Sequence, residues 1–546
     1  VTEWDAAYDA ADLDAAGAPS LITRAGWPRT DLGNARRLAA ANGDRMIHIR
    51  TRGWAVWVGS HFEAEAGEVL ANRRAQALSK LIEDEAAAID AAGPTEADEA
   101  AARREVERLQ LGEAVADRAK SIHAKRVAAH RKFARDCESR AKMGAALDQM
   151  RWIDGISTEP KAIDARTMVL NLANGRLDLS RLVLGEAMEP EEVVEAAGEA
   201  LGPHAPADRA TICAPVRFDP RGAAPRWQAF LDMIQPDPDT QAYLRRVAGY
   251  CLTGSIAEQC CFMLQGEGAN GKSTIISALS RIVGPYAGSI KIQSFLRARS
   301  GDGAGATPDI ARVPGMRILR ASEPRTGDEL DESKIKEFTG GEPLLARHLN
   351  EGFFEFTPQA KLFVSFNRAP KIKSHDEGTW RRIHVIPFAQ TIPREVRRPM
   401  DVVLADFMDE APGILNWALQ GFADWRRAGL GRPAEIENAS RELREASDLI
   451  GQFLRDCCDR APDYRVSFRA LRAVADGWWE AQGLQKPSAQ MLGREMGHRF
   501  LRGAAGKASD RIYHGLRIKM PGDETRPDAL GKWLDVSGVR DNGGAP

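Results

Sequence analysis

The run Gly266-Glu267-Gly268-Ala269-Asn270-Gly271-Lys272-Ser273-Thr274 constrains this chain more than any other stretch of it. It fits the phosphate-loop pattern G-x-x-x-x-G-K-[ST]. The residues before it, Cys260 to Gln265, form a short apolar run suited to a buried parallel strand. Those after it, Ile275, Ile276, Leu279 and Ile282, recur at helical spacing until Gly284-Pro285 stops the helix. Strand, glycine loop and helix are the context this pattern needs. Glycines let backbone N–H groups turn onto phosphate oxygens, and the helix N-terminus adds partial positive charge. Lys272 is expected to reach the β- and γ-phosphates and the Ser273 hydroxyl to ligate Mg²⁺. ATP and Mg²⁺ are therefore the expected cofactors.

Two further strands follow. Met316 to Ala321 ends at Ser322-Glu323-Pro324, and a carboxylate at a strand tip beside a phosphate loop can hold the metal and polarise water. The plain alternative for Glu323 is a solvated loop residue. Lys361 to Phe366 ends in Asn367, which can sense the γ-phosphate or simply start a turn. Arg381 and Arg382 precede the apolar run Ile383 to Phe388; they are a solvated pair or a source of an arginine finger.

Length bounds the rest. A chain of 546 residues is too long for one ordinary domain. Basic and acidic residues nearly balance, 75 against 77, so any nucleic-acid surface has to be local. The seven cysteines lack a CxxC pair and read as reduced thiols rather than a disulfide frame or a zinc site. The longest apolar runs are too short for a membrane span, so no membrane partner is expected.

Residues 1–60 end in the runs Met46 to Ile49 and Trp54 to Val58 around Thr51-Arg52-Gly53, a hairpin pattern. Residues 61–225 begin as polar helices broken at Gly93-Pro94 and continue through a hairpin around Asn174-Gly175. Residues 226–395 carry the chemistry, and 396–445 form a helical connector. Residues 446–520 have a net charge of +5 and the order helix, helix, Ser488-capped helix, strand. This resembles a winged helix-turn-helix, with Arg494 and Arg499 on the third helix as candidate DNA contacts. A protein-docking role is the alternative. Residues 521–546, rich in Gly, Asp and Pro, read as a flexible tail.

The segment 266–388 is similar to the superfamily 3 helicases of the phage, plasmid and poxvirus primase-helicase branch. The resemblance rests on five motifs in order: the glycine loop 266–274, Ser322-Glu323-Pro324, Lys336 to Gly341 with Ala346-Arg347, Asn367, and Trp380 to Ile383 with Ile386-Pro387-Phe388. It implies a multidomain α/β protein with an AAA+-like P-loop ATPase core, a helical N-terminal region and a C-terminal winged helix. It also implies a ring, usually a hexamer, with ATP between subunits, single-stranded and forked DNA as partner, and 3′-to-5′ unwinding. On that resemblance Lys272 and Ser273 hold phosphate and Mg²⁺, and Glu323 is the Walker-B acid and metal ligand. Lys336 belongs to the motif between B and C and is a candidate DNA contact, Asn367 is sensor 1, and Arg382 is the finger, a role Arg381 can share. Two strands around Asn350-Glu351-Gly352 would form a channel hairpin, with Arg347 and His348 facing DNA. Arg347 could equally pair with a core carboxylate.

Two positions depart from the family pattern. Glu342 stands where the family has Asp, and Ser322 stands where viral cousins outside this branch have a second acid. Metal ligation could then rest on Ser273. The family setting implies a cytoplasmic protein of a bacterial cell, encoded by a phage or mobile element, with a primase or polymerase partner. No strand-borne carboxylate pair before residue 225 suggests primer synthesis by this chain itself. The competing reading is a P-loop ATPase that remodels protein or nucleoprotein partners without processive unwinding.

Overall fold

The computed structural model describes residues 19–111, 114–185, 188–297, 308–325, 327–347, 353–372, 376–484, 486–503 and 511–519. Its centre is a five-stranded sheet: β1 (Cys261–Gln265), β2 (Ala287–Ile290), β3 (Ile318–Ala321), β4 (Lys361–Phe366) and β5 (Ile383–Pro387), in the order β5-β1-β4-β3-β2. Every neighbouring pair is parallel. A parallel sheet needs cover on both faces, and the strand sequences supply it by alternation. Phe262, Leu264, Ile318, Phe363 and Ile386 enter one core, which helices Pro238–Cys251, Lys272–Val283 and Ala411–Ala428 complete. Cys261, Met263, Leu319, Leu362, Val364 and Val385 enter the other, which helices Glu332–Gly340 and Ala434–Ser447 close. Four of the five strands lie within three residues of where their apolar runs place them. The edge strand β2 was not anticipated.

The expected hairpin at 46–57 forms as Met46–Ile49 paired with Gly53–Trp57. It widens to four strands by adding Phe62–Glu63 and Ser157–Thr158. Leu38, Met46, Trp54, Val56, Leu78, Ile82, Leu147 and Ile156 share one core. The boundary expected at residue 60 therefore runs through a single packed unit. The polar helices 67–150 form as expected, with the break after Ala92 restarted by a Thr95–Asp98 capping box. Their anchor is a buried cluster that the sequence does not advertise. Arg37 donates from Nε to both Glu85 oxygens (2.9 and 3.0 Å) and from its Nη atoms to the Pro28, Arg24 and Trp27 carbonyls. His130 closes the cluster, 3.0 Å from Glu85. Replacing Glu85 by Ala leaves a buried guanidinium without its counter-charge, an expected loss of about 3–5 kcal/mol. Faster hydrogen exchange throughout helices Asp31–Asn42 and Leu78–Ala92 would report it; unchanged protection would contradict it.

The Asn174-Gly175 hairpin forms in the expected register, Val169–Leu172 against Gly175–Asp178. It packs on the N-terminal edge of the central sheet, where two strand starts carry buried cations, and the first of these reaches the hairpin. Arg317, before β3, donates to the Leu252 and Val169 carbonyls and lies 4.4 Å from the Tyr286 ring. Lys361, the first residue of β4, donates to the Thr253 and Gln359 carbonyls over the Tyr250 face, and burial pushes its pKa down to about 7.

The C-terminal module holds helices Leu449–Cys457, Phe468–Ala481 and Ala489–Arg499, the last capped by Ser488 as expected. The single strand expected at 511–518 is instead two, Ile512–His514 and Arg517–Ile518, parted at Gly515, which takes φ +81°. Ile512–His514 is the centre of a three-stranded antiparallel sheet with Arg465–Ser467 and Arg502–Gly503. The tail expected at 521–546 lies outside the described residues.

Candidate nucleotide and nucleic-acid sites

In a parallel sheet whose strand order reverses, ligands sit outside the C-terminal strand ends. The loop 266–271 leaves β1 at that edge, beside the tips of β3 and β4. Gly268, Ala269 and Gly271 all have positive φ (+110°, +48° and +85°), which curls the backbone into a concave turn. A Cβ at Gly268 would meet nothing within 4 Å, so the turn is open on that side. On the other side it is clamped. Asn270 Nδ2 donates to the Phe388 carbonyl (3.1 Å), and Ile392 N donates to the Ala269 carbonyl (2.8 Å). Gly271 sits against Ile234 so closely that a Cβ would approach it to 2.8 Å. The helix Lys272–Val283 then starts from this loop with its N-terminus toward the turn.

Lys272 is buried, and its ammonium lies within hydrogen-bond distance of Gly266 O, Asn270 Oδ1 (3.2 Å) and Asn367 Oδ1 (3.4 Å). Burial lowers its pKa, and the Glu323 carboxylate opposes that shift. Glu323 Oε1 accepts from the Asn367 backbone N–H at 2.9 Å, which ties the tips of β3 and β4 together. The structure thus brings Lys272, Glu323 and Asn367 to one place, as the sequence expects. The donors suit a nucleotide with Mg²⁺. Ser273, on the first helical turn, and Glu323 are both exposed, and Mg²⁺ characteristically takes one or two carboxylates with phosphate oxygens and water. Among the described residues no cluster of three or more His, Cys, Asp or Glu could hold a metal alone.

Ser322, where a second acid could have stood, has a structural task. Its Oγ accepts from Ile292 N (3.0 Å) and its N–H donates to the Ile290 carbonyl, locking β2 to β3.

Arg381 and Arg382 lie at the other end of the sheet. Ile383 pairs with Cys261 and Pro387 with Gln265, so the arginines sit a full strand length from the loop. Five residues at about 3.3 Å each make that roughly 16 Å. Both guanidiniums converge on Gln259 Oε1 (2.9 Å from Arg381, 3.4 Å from Arg382), and Arg382 also donates to the Gly378 carbonyl. Gln259 itself takes φ +49°, and its Nε2 donates to the Gly340 carbonyl. Arg432 secures the same corner by donating to the Arg381 carbonyl and to His384 Nε2. Sequence reading missed Gln259 and Arg432; only the spatial convergence reveals them.

The hairpin forms as Leu344–Arg347 with Phe353–Phe356. Arg347 lies 5.0 Å from the Phe353 ring, which is 59% exposed, and no ion pair joins it to a carboxylate among the described residues. His348 and the Asn350-Glu351-Gly352 tip lie outside the described residues. Lys336 is engaged by Asp376, whose carboxyl it holds below the ordinary range, so it does not present a free cation.

In the C-terminal module the two candidate arginines part company. Arg494 is exposed. Arg499 grips the Asp448 carboxylate through two contacts (3.0 and 2.7 Å) and serves to fasten the third helix to the first.

Comparison with known proteins adds a lineage. The family described as "D5 N terminal like" matches residues 35–236. A "Putative helicase" of Acanthamoeba polyphaga mimivirus is 31% identical over 289 residues, 50% of this chain and 30% of the relative. A "Putative helicase" of Frog virus 3 is 25% identical over 300 residues, 51% of this chain and 30% of the relative. A "Putative primase" of African swine fever virus is 24% identical over 156 residues, 28% of this chain and 16% of the relative. The chain thus matches less than a third of the length of these relatives. Among solved structures, the apo NrS-1 C-terminal region superposes with a TM-score of 0.37 at 11% identity, covering 56% of this chain and 79% of that one. Among the described residues, no helix is long and apolar enough to cross a membrane.

Proposed function

We propose, from the premise that this chain belongs to the primase-helicase family, that it is an ATP-driven DNA helicase motor acting in replication. The observation that carries the proposal is the meeting of Lys272, Glu323 and Asn367 at one strand-end crevice under a glycine loop. The loop N–H groups and Lys272 would bind the β- and γ-phosphates. Ser273 and Glu323 would hold Mg²⁺, and bound Mg²⁺ supplies charge neutralisation at the transferring phosphoryl group. Glu323 orients the attacking water, and Asn367 couples that carboxylate to the Lys272 ammonium.

The arginine pair sits too far from its own loop to help there, which supports a ring in which each subunit's Arg382, or its neighbour Arg381, completes the next subunit's site. Single-stranded DNA would pass the exposed face of the hairpin, with Arg347 on phosphates. The names of the viral relatives support a helicase or primase setting.

The test is ATP turnover by the full chain with and without single-stranded DNA. Stimulation by DNA supports the motor. Hydrolysis indifferent to DNA would contradict it.

A further inference from the structure

The C-terminal module contains a cleft of about 850 Å³ between its second and third helices and the small sheet. Five of the ten side chains lining it are arginines: Arg469, Arg472, Arg494, Arg502 and Arg511. They come from four separate elements, and the module's folding is what gathers them. Arg469 and Arg472 project from the first turns of helix Phe468–Ala481, and Arg494 from the middle of helix Ala489–Arg499. Arg502 and Arg511 come from the two sides of the strand pair 502–503 and 512–514. Both helices start at this cleft, each behind a serine cap, Ser467 and Ser488. Arg469, Arg494, Arg502 and Arg511 are exposed. Of the described residues lining the cleft none is acidic. Two of the arginines have a carboxylate nearby outside the lining, Arg472 with Asp476 at 2.7 Å and Arg494 with Glu495 at 3.8 Å.

Such a concentration of charge stands out on a chain whose formal net charge is −2. Like charges held in one concavity repel one another, and a polyanion removes that repulsion and gains the two helix N-termini as well. Rows of cations without acids among them match phosphates at regular spacing. The aromatic content of the cleft argues about strandedness. Single strands gain much of their affinity by stacking bases on exposed rings. Among the described residues lining the cleft the one ring, Phe468, is half-buried beside Tyr513, at 6.4 Å between centroids.

We infer that this cleft is a binding site for the sugar-phosphate backbone of duplex DNA, separate from the hairpin that handles the single strand. It extends the motor reading by giving the protein a second DNA contact of different strandedness, and it moves that contact away from Arg499. The site would hold the duplex while the motor acts on one released strand.

The experiment measures binding of the nucleotide-free full chain to a labelled blunt duplex across a salt series. Each phosphate contact contributes about 0.9 to the slope of log affinity against log salt. Arg469→Ala with Arg494→Ala should lower that slope by about 1.8. The corresponding double lysine variant keeps the charge and should restore most of it, which guards against a folding artefact. Arg441→Ala, an exposed arginine outside the cleft, should change nothing.

An unchanged slope in the double alanine variant overturns the inference. So does an equal loss with Arg441→Ala, or an equal loss of single-strand affinity. Failure of the wild type to bind duplex while it captures an acidic peptide would also overturn it, in favour of a protein-docking surface. Because nucleotide is absent, Lys272→Ala should bind duplex like the wild type, so failure of the motor reading and failure of this one can be told apart.

Discussion

Arg382→Ala is expected to bind ATP normally and to hydrolyse it about 10³–10⁵-fold more slowly. Phosphoryl transfer spreads negative charge over the γ-oxygens, and a guanidinium delivered there stabilises it as it develops. The parallel register of β5 on β1 leaves Arg382 roughly 16 Å from its own glycine loop, so in the proposed ring the effect arises between subunits. Mixing this variant in equal amounts with Lys272→Ala should recover part of the hydrolysis. Some interfaces then join an intact Lys272 to an intact Arg382. Arg381→Ala is the necessary companion, since Gln259 holds both guanidiniums and either could be released toward a neighbour. Full activity in both single variants, or no recovery on mixing despite confirmed co-assembly, would contradict a finger supplied in trans.

Lys272→Ala should remove hydrolysis almost wholly, at least about 10²–10³-fold, the order seen when one preorganised electrostatic donor is lost. Among the described residues Lys272 Nζ hydrogen-bonds to the loop itself and to Asn367, so the sheet should keep its fold and its melting temperature. Glu323→Gln separates binding from turnover. Its amide oxygen can still accept from Asn367 N, so the strand tips stay joined while the negative charge that steers water and metal is gone. Retained ATP binding with stalled turnover is expected; normal turnover in either variant would remove the assignment.

The glycine loop, the helix after it and four of the five central strands were legible because each is encoded locally, by a turn composition or an apolar run. The edge strand Ala287-Gly288-Ser289-Ile290 has one large apolar residue, and its pairing with Ile318–Ala321 is what makes it a strand. Charge was the least legible property. Arg499 reads as a DNA contact from its place on the third helix, yet its partner Asp448 lies 51 residues away in sequence. Arg317 and Lys361 lie at the starts of two strand runs, and the sequence carries no sign of their burial, since charges are seldom buried. They are buried because carbonyls of the packed hairpin and loop satisfy them. Ser322 was visible as a departure from an acidic pattern, but its purpose needed Ile292, a neighbour only in space. The hairpin of Leu344–Arg347 and Phe353–Phe356 was legible as two strands, whereas the stacking of Arg347 on Phe353 depends on cross-strand register.

Strand separation tests the central claim most directly. The full chain, supplied with ATP and Mg²⁺, is given a forked duplex carrying a labelled strand and a 3′ tail. The account predicts release of the labelled strand with ATP, none with a non-hydrolysable analogue, and none by Lys272→Ala. ATP hydrolysis that proceeds on this substrate while the strands stay paired would contradict it.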